Sequence, residues 1–303
     1  MPGRFFSPAG GNMPETRAVR RLQITSSRLA TAIFAGEYRS AFRGRGIEFD
    51  EVREYEAGDD IRSIDWNVTA RQGRPFIKRF VEERELTLLL LLDRSASMDF
   101  GTVRCTKLDT ATEACALLAF AALRSHDRMA LLTYGDGELR YLPPGKGKRH
   151  ALQLVRTSMT PADPGKHSAN LAEALDYLLR VVRGRSLVCI FSDFIDPLPS
   201  QSLAAIAARH DTVAVSVSDP IEHRLPAAGL LRLADIESGV FRLVDSGNQA
   251  VRDSYQRLAA CRQEGRRQAI AATGSACLEL ETRIPPLYPF MNFFHSRQMR
   301  RGR

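Results

Sequence analysis

Asp93, Ser95 and Ser97 stand at alternate positions, and together they carry one carboxylate and two hydroxyls. These are the oxygen ligands that a hard divalent cation such as Mg²⁺ accepts, in an octahedral shell that gives up water reluctantly. A tight loop that turns alternate side chains the same way aims all three oxygens at one point. Asp193 follows a later apolar run, where its carboxylate could hold a coordinating water. A shell this poor in negative charge leaves a cation that gains from a carboxylate supplied by another molecule. The implied chemistry is therefore metal-dependent capture rather than turnover. The competing reading of the same residues is a polar turn whose Ser side chains cap the following helix.

Other chemistries lack their residues. A phosphatase of the haloacid dehalogenase type also places an Asp after its first strand, but it needs a general-acid carboxylate two residues later, and Ser95 stands there. No G-x-S-x-G elbow and no G-x-x-x-x-G-K-[ST] phosphate loop occurs, so any use of ATP belongs to a partner. The six His residues show no H-x-x-x-H spacing.

The candidate loops need strands to present them. From Leu86 onward, apolar runs alternate with helical periodicity, the pattern of a parallel sheet covered on both faces. Strands are expected over residues 86–92, 128–134, 186–191, 212–218 and 276–280, with an antiparallel edge strand near 139–142. Helices are expected over 107–124, 149–158, 170–182, 200–209, 250–272 and 287–299. Residues 230–244 read as an inserted hairpin around Ser238-Gly239. In such a doubly wound α/β sheet, ligands collect beyond the carboxyl ends of the strands, which is where Asp93 and Asp193 fall.

The 303-residue chain is 44% hydrophobic and 26% charged, ordinary values for a globular protein. The leucine-rich run over 86–92 is far shorter than the ~20 residues needed to span a bilayer. With no signal-peptide pattern either, a cytoplasmic protein is expected, with a membrane-associated partner still open. Five widely spaced Cys residues, none in a C-x-x-C pair, read as reduced apolar side chains. The net charge of +8 favours anionic partners, and a basic nucleic-acid-binding protein is the alternative function; its binding would weaken steeply with salt and need no divalent ion.

Upstream, residues 1–15 are rich in Gly and Pro and read as a flexible arm, and residues 18–42 carry apolar side chains at helical spacing. The stretch Arg53-Glu54-Tyr55 to Arg71 is dense in alternating charge. Arg53, Asp59, Asp60, Arg62 and Asp65 form either a charged surface for a partner or an ion-pair lattice that docks this segment, with Trp66 as its buried anchor; fixing of backbone by Arg–carboxylate forks favours the lattice.

The run Leu88-Leu89-Leu90-Leu91-Leu92-Asp93-Arg94-Ser95-Ala96-Ser97-Met98 resembles the metal-ion-dependent adhesion site of von Willebrand factor A domains, and Ile190-Phe191-Ser192-Asp193 resembles their later strand-plus-Asp. Gly46-Ile47-Glu48-Phe49, Arg53-Glu54-Tyr55, the block Gly58-Asp59-Asp60-Ile61-Arg62-Ser63-Ile64-Asp65-Trp66 and Thr69-Ala70-Arg71 resemble the signature of the bacterial domain-of-unknown-function 58 family. The resemblance implies a mostly parallel, Rossmann-type A domain over 86–300, joined to a region over 16–85 that comprises the N-terminal helix and a small family-specific α+β module. It further implies a non-enzymatic adaptor that uses Mg²⁺ and works with a MoxR-type AAA+ ATPase in chaperone-like assembly or maturation of a client protein, with no nucleic acid among its partners. The family's metal site also uses a Thr before a Leu-x-x-Ala-Leu helix start. Here Ala169 stands in that position, and Ser168 or Asn170 is the nearest substitute.

Overall fold

The computed structural model describes residues 28–43, 51–56, 59, 61, 64, 66–79, 85–137, 139–160, 169–234 and 240–301. The arm expected over residues 1–15 and the turn at Ser238-Gly239 lie outside them.

A six-stranded sheet organises the larger part of the chain. Its strands are β3 (Thr87–Asp93), β4 (Arg128–Tyr134), β5 (Arg140–Gly145), β6 (Leu187–Ser192), β7 (Asp211–Ser218) and β10 (Ala276–Glu281), in the spatial order β10-β7-β6-β3-β4-β5. All neighbours are parallel except β5, which runs antiparallel to β4 at the edge. The sequence-based strands agree to within a residue at most ends. The expected edge strand near 139–142 is present and extends to Gly145. This is the doubly wound, mostly parallel α/β architecture expected from the resemblance.

The leucine run explains the central position of β3. Successive side chains on a strand point to opposite faces, and Leu88 through Leu92 are all completely buried. Leu88, Leu90 and Leu92 enter one core, with residues of α3 (Lys107–Arg124) and α4 (Gly147–Met159). Leu89 and Leu91 enter the opposite core, with residues of α5 (Leu171–Val181) and α6 (Ser200–Arg209). Each buried Leu contributes about 1.5–3 kcal/mol relative to exposure. Helix α3 is buried almost all round, and its alanines let it lie close to the sheet.

Strand order sets the location of the site. From β3 the chain moves to β4 and β5 on one side, then crosses to β6 on the other side of β3. The reversal opens a crevice beyond the carboxyl ends of β3 and β6.

The described residues form two compact units that meet the expected boundary between Glu85 and Leu86 but part from the expected 16–85 region at Phe42, because the N-terminal helix goes with the larger unit. The larger unit takes α1 (Arg28–Arg43) through Phe42 together with the chain from Leu86 onward, and the smaller lies between Arg43 and Glu85. Aromatic packing is the physical reason. Phe34 meets Phe290 and Phe294 of α9 (Leu287–Arg301) at centroid distances of 6.1 and 5.3 Å, and Phe42 meets Phe294 at 5.4 Å. Such offset and edge-on pairs add about 0.5–1.5 kcal/mol each beyond their burial. Helix α1 thereby belongs to the core of the larger unit.

The smaller unit pairs β1 (Glu51–Glu54) antiparallel with β2 (Phe76–Arg79), with helix α2 (Trp66–Gln72) between them in sequence. Tyr55 N–H donates to the Pro75 carbonyl at 2.8 Å, and Phe76 N–H to Thr69 Oγ1 at 3.0 Å. Trp66, expected as a buried anchor, is 67% exposed at the start of α2. Asp59 accepts the Glu56 N–H at 2.9 Å, Arg71 is exposed at the end of α2, and Arg53 lies on β1. Asp60, Arg62 and Asp65 lie outside the described residues, so the proposed lattice is not traced.

The expected hairpin is a separate ribbon of β8 (Leu230–Ala234) and β9 (Phe241–Asp245), set between α7 (Pro220–His223) and α8 (Gln249–Ala272).

Candidate functional site

Asp93 closes β3 and is 5% exposed. Its Oδ1 accepts the Ser95 N–H at 2.9 Å; its Oδ2 accepts the hydroxyls of Ser192 at 2.6 Å and Tyr134 at 3.1 Å. Strand ends β3, β4 and β6 are thus tied through one carboxylate. Burial pushes the Asp93 carboxyl above its ordinary range. Hydrogen bonds from Ser192 and Ser95 oppose this shift, and the nearby Asp193 charge adds to it.

The loop after Asp93 separates its side chains. Arg94 turns away, pairing with Asp136 at 2.6 Å and donating to the Ser158 carbonyl, and Met98 is fully buried. Ser95 and Ser97 face the crevice with their Oγ atoms 3.1 Å apart. Ser95 precedes a short 3₁₀ turn (Ala96–Asp99), yet its hydroxyl makes no capping bond to that turn. The helix-cap reading of the serines is corrected for Ser95: its hydroxyl is aimed at Ser97, not at orphan backbone donors.

Asp93, Ser95, Ser97, Asn170 and Asp193 line one cleft of about 270 Å³ at the strand-order reversal. The structure therefore brings together the four metal-site residues read from sequence. Asn170 reaches the cleft, but its Oδ1 caps α5 by accepting the Glu173 N–H at 3.0 Å. Ser168 lies outside the described residues. Ala169 is buried and held by backbone bonds to Gly135 and Gly137, so it adds no hydroxyl.

Asp193 also makes contacts the sequence did not suggest: its Oδ2 accepts Lys107 Nζ at 2.7 Å, while Oδ1 receives the Ile195 N–H at 3.3 Å. The Lys107 ammonium also meets Glu222 at 2.7 Å. Sequence reasoning missed Lys107, although a signal existed: a cation at the first position of a helix opposes the macrodipole and needs carboxylates nearby.

Two further residues escaped notice. Ser192 both donates to Asp93 and accepts the Phe194 N–H at 3.0 Å, which holds the β6 loop while Phe194 adopts a left-handed φ of 49°. Gly135 has φ of +94°, and a Cβ there would fall 2.6 Å from Ser95 N and 2.9 Å from Asp93 Oδ1. The Gly135-Asp136-Gly137 turn was its only trace in the sequence.

The donor set can be tested against Mg²⁺. Ligands 2.0–2.1 Å from an octahedral ion lie about 2.9 Å apart along an edge, close to the Ser95–Ser97 hydroxyl spacing of 3.1 Å. The Ser95 and Ser97 hydroxyls fit such an ion, Asp93 sits behind them with both oxygens hydrogen-bonded to Ser95, Ser192 and Tyr134, and Ala169 offers no ligand. Among the described residues no group of three or more His, Cys, Asp or Glu side chains is arranged to hold a metal, so any ion here rests on hydroxyls rather than on a carboxylate cage. None of the described histidines lines the cleft.

A model of the family described as "Protein of unknown function DUF58" matches residues 51–265. Uncharacterized protein Rv1480 of Mycobacterium tuberculosis is 36% identical over 287 residues, covering 94% of this chain and 90% of that one. Uncharacterized protein Mb1516 of Mycobacterium bovis matches with the same identity and coverage. Among solved structures, the VWA domain of SpRpn10 is 11% identical, covers 69% of this chain and 94% of that one, and superposes with a TM-score of 0.39. No helix among the described residues is long and apolar enough to cross a membrane.

Proposed function

The chain belongs to the DUF58 family, and on that premise we propose that it is a non-enzymatic adaptor whose β3–β6 rim captures a carboxylate of a partner protein through Mg²⁺. One observation carries the reading: Asp93, Ser95, Ser97 and Asp193 line a single cleft at the point where strand order reverses. Ser95 and Ser97 would hold the ion through their hydroxyls, with Asp93 orienting the loop behind them. Bound there, Mg²⁺ supplies a coordination position that an incoming carboxylate fills. The protein's own residues set the loop: Ser192 and Tyr134 fix Asp93, and Asp93 fixes the Ser95 backbone.

The cleft offers hydroxyls and carboxylates without a described imidazole among its lining residues, which favours binding over nucleophilic chemistry. The partner class follows from the family resemblance: a MoxR-type AAA+ ATPase, with a client protein whose assembly or maturation the pair promotes in the cytoplasm.

Capture from native lysate tests this, with wild type and a Ser95→Ala/Ser97→Ala variant, each in Mg²⁺ and in EDTA. Recovery of an AAA+ ATPase by wild type in Mg²⁺ alone supports the reading. Equal recovery in all four conditions removes the cleft from the contact. Unaided turnover of a substrate by the purified protein, lost in Asp93→Ala, would make it an enzyme.

A further inference from the structure

Beside the cleft lies a buried cation that belongs to the protein itself. The Lys107 side chain is 1% exposed, and its ammonium sits 2.7 Å from both Asp193 Oδ2 and Glu222 Oε1. A buried ammonium is costly to desolvate unless it is paired, and two carboxylates meet this one. The surroundings hold it in place. Helix α3 begins with a capping box in which Thr106 accepts the Asp109 N–H, and the Lys107 N–H donates to the Phe100 carbonyl at 2.9 Å. On the far side, the second oxygen of Glu222 accepts the Asp219 N–H at 3.0 Å. Asp219 is itself fixed by Thr102 N–H at 2.9 Å and Thr282 Oγ1 at 2.7 Å. The ammonium is seated by two anchored carboxylates, one of which faces the cleft.

We propose that Lys107 is a built-in counter-cation that competes with the divalent ion for Asp193 and thereby keeps the cleft's cation affinity low. The inference rests on the reading that Ser95 and Ser97 hold the ion. Its consequence is a division of labour at the rim. With Asp193 neutralised from within, the protein's own ligands bind a divalent ion weakly, and the anionic ligand that completes the shell must come from the partner. Capture of ion and partner then becomes mutually dependent. Lys107 acts here as a positioning residue, through Asp193 and through the field at the cleft.

Mn²⁺ binding to the full chain, followed by electron paramagnetic resonance, tests the idea. Lys107→Gln removes the internal cation and is expected to bind Mn²⁺ at least about tenfold more tightly than wild type, the effect on a divalent ion of losing a unit positive charge one carboxylate away. Lys107→Arg keeps the charge and is expected to retain wild-type affinity. Adding Ser95→Ala/Ser97→Ala to Lys107→Gln is expected to abolish the gain.

Glu222→Gln gives a check of opposite sign that does not depend on folding of Lys107→Gln. It leaves the ammonium to Asp193 alone and is expected to weaken Mn²⁺ binding; unchanged or tighter binding would overturn the proposal. Equal affinity in wild type and Lys107→Gln, both lost in Ser95→Ala/Ser97→Ala, would remove Lys107 from the account and leave the cleft reading standing. Mn²⁺ bound by neither wild type nor Lys107→Gln would remove both.

Discussion

Ser192 Oγ lies 2.6 Å from Asp93 Oδ2, and this one bond joins the ends of β6 and β3 across the reversal of strand order. The same hydroxyl accepts the Phe194 N–H, so Ser192 holds both loops of the cleft. Ser192→Ala leaves a buried carboxylate oxygen with Tyr134 as its remaining side-chain donor and leaves a buried N–H without its acceptor. A loss of about 1–3 kcal/mol is expected, since hydrogen bonds to charged groups are worth more than neutral ones. Urea denaturation measures it. A midpoint within error of wild type would show that the loops are held elsewhere.

Gly135 is the second structural keystone of the loop. At φ of +94°, any L side chain is strained, and a Cβ would press against Ser95 N and Asp93 Oδ1. Gly135→Ala is expected to cost about 2 kcal/mol or more and to displace the loop. Partner capture and Mn²⁺ binding should then fall further than the loss of stability explains, when compared at a temperature where the variant remains folded. Full binding with lowered stability would mean that the loop tolerates the displacement.

The contrast between Asp93 and Gly135 shows what the sequence made legible. Five consecutive leucines ending in Asp93 mark a central strand and its loop, because only a strand buried on both faces needs an unbroken apolar run. Cleft residues at strand ends follow from that register. The first-turn place of Lys107 was legible, but its pairing with Glu222 was not, since it joins positions 115 residues apart and no periodicity records it. Trp66 misled because a large aromatic is usually buried, and this one is exposed. The place of α1 in the large core rested on ring contacts with α9 near the other end of the chain, which local patterning does not encode.

Thiol reactivity should follow burial. Cys261 is exposed on α8, whereas Cys115 and Cys189 are buried and burial pushes both thiols well above their ordinary range. Cys277, partly buried and beside Glu279, is pushed up to about 11. Because the thiolate is the reactive form, Cys261 is expected to react first with a thiol reagent at neutral pH, and Cys115 and Cys189 only on unfolding. Peptide mapping after brief alkylation checks the order. Early labelling of Cys189 would mean that the sheet opens at β6.

His210 makes stability depend on pH with a definite sign. It is buried at the end of α6, where Nδ1 accepts the Ser186 N–H at 3.3 Å and Nε2 has no partner. Burial, aided by the Arg209 charge, holds its pKa below the ordinary value of 6.5. The folded state therefore keeps the imidazole neutral where the unfolded chain already takes a proton. Stability is full above about pH 6.5 and declines as pH falls below it, because protons bind the unfolded state first. Asp93, raised by burial, titrates above the usual carboxylate range and the chain has five other histidines, so the difference between wild type and a His210 variant between about pH 6.5 and 5, not the slope itself, reports this histidine. His210→Gln should flatten urea midpoints across that window relative to wild type. An equal decline in both proteins would assign the acid sensitivity to another group.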